Sequence, residues 1–146
     1  MNYTLFLGCN IPARVQQYHD AAKAVCEKLD ISLTQIKEFM CCGYPVRNID
    51  EFTFLLSAAK NLALAEQRQS DLMVLCKCCY GTLKMAEYHL RRNPRVLEKI
   101  NLILAKEGLL FKGNIIIKHF LSVLHEDVGL ERLKAAVKVK YKKLKI

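Results

Sequence analysis

Tryptophan is absent from the 146 residues, and glycine and proline are scarce, at six and three. So few chain breakers exclude collagen-like and low-complexity repeats. No run reaches the ~18 apolar residues that a spanning helix needs. The opening Met1-Asn2-Tyr3-Thr4-Leu5-Phe6-Leu7 has no basic leader and is too short for a secretory core. Leu7-Gly8-Cys9 has the outline of a lipidated-cysteine signal, but again without the leader. A cytoplasmic protein is the expectation. Neither a glycine-rich phosphate loop nor a nucleophile elbow is present, and residues 1–146 contain no internal repeat. The four histidines, His19, His89, His119 and His125, show no ligand spacing. His119 lies near an expected strand end and has the best case for facing a substrate. Glu126-Asp127 reads as a solvated helix face rather than an acid/base pair.

What is present is a soluble balance, 52% hydrophobic and 25% charged, in one domain's length. The net charge of +9 is uneven: residues 131–146 hold Arg132, Lys134, Lys138, Lys140, Lys142, Lys143 and Lys145 against Glu131 alone. This basic tail does not by itself make a nucleic-acid binder, and no nucleic-acid partner is expected.

Apolar runs at Tyr3–Leu7, Asp71–Leu75 and Ile115–Ile117, with a loose alternation over Ile31–Met40, predict four strands. Helical stripes predict helices over about 11–29, 50–68, from near Cys79 to Arg92, 96–104, 119–128 and from 130 to about 139. Asn48 with Glu51 suggests a capping box for the second of these. Leu144-Lys145-Ile146 is taken as a last strand. Alternating strands and helices argue for an α/β fold, a three-layer Rossmann-like open sheet, mainly parallel, of about four strands with helices on both faces. Ligands in such sheets bind outside the strands' carboxyl ends.

Five of the seven cysteines fall at those ends. They are Cys9, the pair Cys41 and Cys42, and Cys76 with Cys79. The odd total argues against a closed disulfide framework. In a reducing compartment, clustered thiols point to metal binding or redox chemistry. Three helices are expected to start beside them, and a helix amino terminus favours a thiolate. Lys77 and Arg47 could add charge there. The spacing of Cys76 and Cys79 is a chelating one. Adjacent side chains diverge, so Cys41 and Cys42 suit two irons of a polynuclear cluster better than one zinc. Gly43 lets the chain turn tightly past such a group. Cys26 sits on an apolar helical stripe and reads as core.

The order Leu-Gly-Cys-Asn, Cys-Cys-Gly-Tyr-Pro, Leu-Cys-Lys-Cys-Cys-Tyr-Gly-Thr-Leu and Lys-His-Phe-Leu-Ser-Val-Leu-His-Glu-Asp-Val-Gly-Leu resembles the CCG motif of the heterodisulfide reductase B-subunit family. The likeness runs over the whole chain and is to the amino-terminal half of that protein. It implies a noncubane [4Fe-4S] cluster on Cys9, Cys41, Cys42, Cys76 and Cys79, with Cys78 an extra thiol inside the C-x-x-C. It further implies a single CCG domain over 1–146, the first of two repeats. The implied partners are iron–sulfur and flavin subunits, a second CCG repeat or subunit, and a thiol/disulfide substrate. The alternatives are a zinc-binding module without turnover and a basic interaction protein. With one motif, the chain alone is expected to lack a complete active site, and no catalytic residue is assigned.

Overall fold

The computed structural model describes residues 1–139. Four parallel strands, β1 (Asn2–Phe6), β2 (Ser32–Gln35), β3 (Asp71–Val74) and β4 (Ile117–His119), lie in the order β2-β1-β3-β4. The register sets Tyr3 beside both Leu33 and Asp71, and Val74 beside His119. All four carboxyl ends therefore face one edge.

Side chains of a strand alternate between faces, and here both faces are covered. Phe6, Leu72, Val74 and Ile117 join one core with α3 (Glu51–Gln67), α4 (Lys77–Arg92) and α5 (Pro94–Leu104). Tyr3, Leu5, Met73 and Leu75 join a second with Ala22 and Cys26 of α2 (Gln16–Lys28). Phe120 of α6 (Phe120–Ser122) and Val123 and Val128 of a π-helical turn (Val123–Val128) complete it. Leu62, Leu72, Leu83 and Leu90 are fully buried, each stabilising by about 1.5–3 kcal/mol. The expected three-layer α/β architecture is the one observed. Among the described residues, no helix is long and apolar enough to cross a membrane.

Several boundaries differ from expectation. The helix expected over 11–29 is two, α1 (Asn10–Arg14) and α2, separated at Val15, whose backbone leaves helical geometry (φ −136°, ψ 48°). The strand expected over 31–40 pairs only over Ser32–Gln35, after which the chain turns away from β1. The cap of α3 is Asp50, not Asn48: its carboxylate accepts from the Thr53 amide and hydroxyl and is held below the usual carboxylate range by those bonds. The fourth strand begins two residues later than 115–117. The Glu66 carboxylate takes the Lys112 and Asn114 amides, and Gly113 is left-handed, so residues 112–114 form a turn before pairing starts. The last described helix, α7 (Leu130–Ala136), stops short of 139, where Val137 is extended. The strand expected at 144–146 lies outside the described residues.

Asp127 is not a solvated surface carboxylate. It accepts from the Tyr3 hydroxyl at 2.7 Å and from Lys118 Nζ at 2.5 Å. Lys118 holds its carboxyl below the ordinary range, while burial and the same contact push the Tyr3 phenol up. The trio fastens the π-helical turn to the sheet.

Candidate functional site

Three loops meet at the carboxyl edge, and each is shaped by a local requirement. After β1, Gly8 turns the chain with φ +70°, and a Cβ there would lie 2.7 Å from the sulfur of Cys79. Cys9 follows, exposed, at the start of α1. Glycine is thus needed for its conformation and for the close approach of a thiol 71 positions away.

The second loop leaves β2 and crosses over the sheet end. Phe39 packs edge-on against Phe6, ring centres 5.0 Å apart. The next backbone groups bond to α3 side chains. Asn61, fully buried, accepts from the Met40 amide at 2.9 Å and donates to the Met40 and Cys41 carbonyls at 3.3 and 3.2 Å. The Ser57 hydroxyl donates to the Cys41 carbonyl at 2.7 Å. Gly43 then turns with φ +89°, and a Cβ there would sit 3.0 Å from the Phe54 carbonyl oxygen.

The third loop runs from β3 through Leu75 into Cys76, which precedes α4 in an extended conformation. The Leu75 carbonyl accepts from His119 Nε2 at 3.0 Å and from the Tyr18 hydroxyl at 3.4 Å. His119 Nδ1 accepts from the Leu121 amide, and Nε2 donates to the Leu75 carbonyl. His119 therefore tethers the loop beneath Cys76 and caps α6; neither nitrogen is left for a substrate.

The thiols are neighbours in series. Cys9 lies against Cys41, Cys41 beside Cys42, Cys42 against Cys79, and Cys79 against Cys76. Cys42 and Cys79 are buried, Cys41 and Cys76 half-buried, and Cys9 is exposed. Cys78 is exposed, and none of these contacts involves it. Cys26 is buried in the core on the other face, and burial pushes its thiol up to about 11.

The contacts separate the buried pair electrically. Cys42 is lowered to about 6 by the Cys79 thiol, and further by the Tyr44 amide and Thr82 hydroxyl. Cys79 is pushed far up, because Cys42 beside it holds the negative charge and burial opposes a second. Desolvation raises Cys41, with the Gly43 amide opposing. Within this pair the negative charge is favoured on Cys42, with the Cys79 thiol donating to it.

Of the long helices, only α4 starts at the thiols. The one after the Cys-Cys pair, α3, begins at Glu51, with a 3-10 turn (Tyr44–Val46) between. Lys77 is exposed, and the Arg47 guanidinium stacks 4.5 Å over the Tyr44 ring rather than on sulfur. Among the described residues, no three Cys, His, Asp or Glu side chains close to the spacing of a single metal ion. Asn61, Ser57, Tyr18 and Thr82 escape a reading of the sequence. Asn61 alone leaves a signal, as an amide inside the apolar face made by Ala58, Leu62 and Ala65.

The profile of the CCG cysteine-rich domain family matches residues 3–84. The chain is 36% identical over 140 residues to a protein of Archaeoglobus profundus named for its likeness to the heterodisulfide reductase B subunit, covering 94% of this chain and 47% of that one. It is 32% identical over 133 residues to the B subunit of the ferredoxin:CoB-CoM heterodisulfide reductase of Methanosarcina mazei, covering 90% and 44%. The chain thus spans about half the length of these curated relatives. A crystal structure of a hypothetical protein from Helicobacter pylori superposes with a TM-score of 0.78 at 26% identity, over 86% of this chain and 25% of that one. The profile covers both the Cys-Cys-Gly loop and the C-x-x-C, the two segments that the fold brings to the loop of Gly8 and Cys9, and on that match the chain belongs to the CCG cysteine-rich domain family.

Proposed function

We propose that this edge binds a noncubane [4Fe-4S] cluster through Cys9, Cys41, Cys42, Cys76 and Cys79, and that the chain is a redox module of a heterodisulfide-reductase-like complex. The observation that carries this reading is the gathering of Cys9, Cys41, Cys42, Cys76 and Cys79 on the three loops of one carboxyl edge, with the Cys79 sulfur close against Gly8 of the Cys9 loop. The donor set is all sulfur, which suits iron–sulfur chemistry. Cys41 and Cys42 are adjacent, with Cys9 the neighbour of the first and Cys79 of the second. Two adjacent thiols with different neighbours suit two irons of a polynuclear group better than a single zinc, which needs four ligands around one centre.

Bound there, such a cluster would supply one-electron transfer and Lewis-acid iron for a substrate sulfur. The protein's part is to hold and tune it. The amides of Gly43 and Tyr44 point at the sulfurs of Cys41 and Cys42, and hydrogen bonds to sulfur raise a cluster's potential. Cys76 stands at the amino terminus of α4, the end of a helix where anionic groups are favoured. Exposed Cys9 and half-buried Cys41 and Cys76 leave one side of the site open.

A thiol/disulfide substrate would enter on that side. A second CCG repeat or subunit would complete the site, and iron–sulfur and flavin subunits would exchange electrons with it. The relatives' doubled length supports the second unit. A reducing, cytoplasmic setting suits seven free thiols.

Cys42→Ser tests the assignment. Reconstituted without oxygen, the variant is expected to hold less iron and to change the EPR spectrum. Unchanged iron and spectrum would sink the ligand set.

A further inference from the structure

The loop carrying Cys41 and Cys42 is no longer part of the sheet. Pairing between β1 and β2 ends at Leu5 and Gln35, and Met40 and Cys41 find their partners on α3 instead. Asn61 takes both the amide and the carbonyl of Met40, as a neighbouring strand would. Its remaining donor capacity goes to the Cys41 and Ser57 carbonyls. Ser57 adds a second bond to Cys41, and one turn earlier Phe54 presents its backbone to Gly43. Positions 54, 57 and 61 share one helical face. That face is a cradle for Met40 to Gly43.

An amide is an unexpected choice for this position. Asn61 is fully buried between Ala58, Leu62 and Ala65, where an apolar side chain would pack without needing partners. Every bond it makes outside its own helix goes to the two residues that end at Cys41. Adjacent side chains on such a segment diverge, so a turn of the backbone about its own axis at Met40 and Cys41 would redirect both the Cys41 and the Cys42 sulfur.

We infer that Asn61, seconded by Ser57, is a positioning residue that presets the direction of the Cys41 and Cys42 sulfurs before any cluster is bound. It touches neither sulfur and acts through the backbone. The inference rests on the cluster reading above. It adds that retention of the cluster depends on an α3 amide outside the cysteine motif.

The test compares four proteins, reconstituted with iron and sulfide without oxygen and then challenged with an iron chelator well below their unfolding temperatures. They are wild type, Asn61→Leu, Ser57→Ala and Leu104→Ala. Leu104→Ala removes a buried side chain at the end of α5, outside the three cysteine loops, and lowers stability there. Asn61→Leu is near in size and carries no charge.

The expected result is loss of iron faster by roughly tenfold or more in Asn61→Leu, and by about threefold in Ser57→Ala. A broadened or shifted EPR spectrum should accompany both. Leu104→Ala should keep the wild-type rate and spectrum despite its lower unfolding midpoint. Ser57→Ala keeps the question answerable should Asn61→Leu not fold.

Variants that hold iron as long as wild type, with its spectrum, overturn the positioning role and leave the cluster reading intact. Losses that simply follow the unfolding midpoint, Leu104→Ala included, overturn it as well. A wild type that takes up no iron overturns the cluster reading, and this inference with it.

Discussion

Gly8→Ala separates the site from the fold. The backbone at Gly8 has φ +70°, which costs an alanine about 1–2 kcal/mol. Gly108 has the same φ, +70°, and nothing lies within 4 Å of where its methyl would stand. Gly108→Ala therefore carries the conformational cost alone. Gly8→Ala carries it plus a contact of 2.7 Å with the Cys79 sulfur, well inside ordinary van der Waals range. Were that sulfur fixed, overpacking would add about 1–3 kcal/mol. But it is the free end of a short side chain and can swing aside. The excess over Gly108→Ala is then expected near the bottom of that range, and the damage falls on the site. Swinging takes Cys79 off Cys42 and Cys76, which flank it. Urea denaturation of the metal-free proteins and iron per chain after anaerobic reconstitution measure the two effects. Gly8→Ala should lose most of its iron, while Gly108→Ala keeps the wild-type complement. Equal iron in the two variants would refute the claim that Cys79 stands against Gly8 in the working site.

At Gly43 the obstacle is backbone. A methyl would meet the Phe54 carbonyl oxygen at 3.0 Å with φ +89°, so Gly43→Ala should cost about 2–5 kcal/mol by urea denaturation. Cys42 titrates at about 6 in the folded, metal-free protein against an ordinary 9.0. A lowered thiol contributes stability above its unfolded value and loses it as pH falls through the folded one. The stability of wild type relative to Cys42→Ser should therefore rise from pH 6 to pH 9, and thiolate ultraviolet absorbance should show a step near pH 6 that Cys42→Ser removes; a flat difference would contradict it. Cys26→Ala should cost about 1 kcal/mol or more as a buried core thiol yet leave iron per chain unchanged, and exposed Cys78→Ser should change neither. Tyr3→Phe removes the bond to Asp127 and should cost about 1 kcal/mol.

The layer order is legible in the sequence because it rests on local periodicity. Asp71–Val74 is a short apolar run buried on both faces, and such runs announce a parallel strand. The stripe through Ala22, Cys26 and Leu29 likewise marks Cys26 as core. What escapes depends on partners distant in sequence. Ile31 and Ile36 are both buried and suggest one long strand, but Ile36 packs after pairing has stopped. Nothing near Met40 says that its amide will bond to Asn61, 21 positions on. His119 looks available because its strand position is readable and its two hydrogen bonds are not. The cap of α3 goes to Asp50 because a cap is set by which carboxylate reaches the first free amides, and Asn48 sits too early. The cysteines themselves are legible as an edge cluster. Their separation into a low Cys42 and a high Cys79 is not, since it follows from burial and mutual contact.

The central claim is that the carboxyl edge of this sheet grips an iron–sulfur cluster through cysteines from three loops. Metal and sulfide analysis of protein prepared without oxygen, read beside its visible spectrum, tests it most directly. The account predicts a coloured protein with about four irons and four sulfides per chain. A colourless protein carrying one zinc per chain, or no metal under the same conditions, would contradict it.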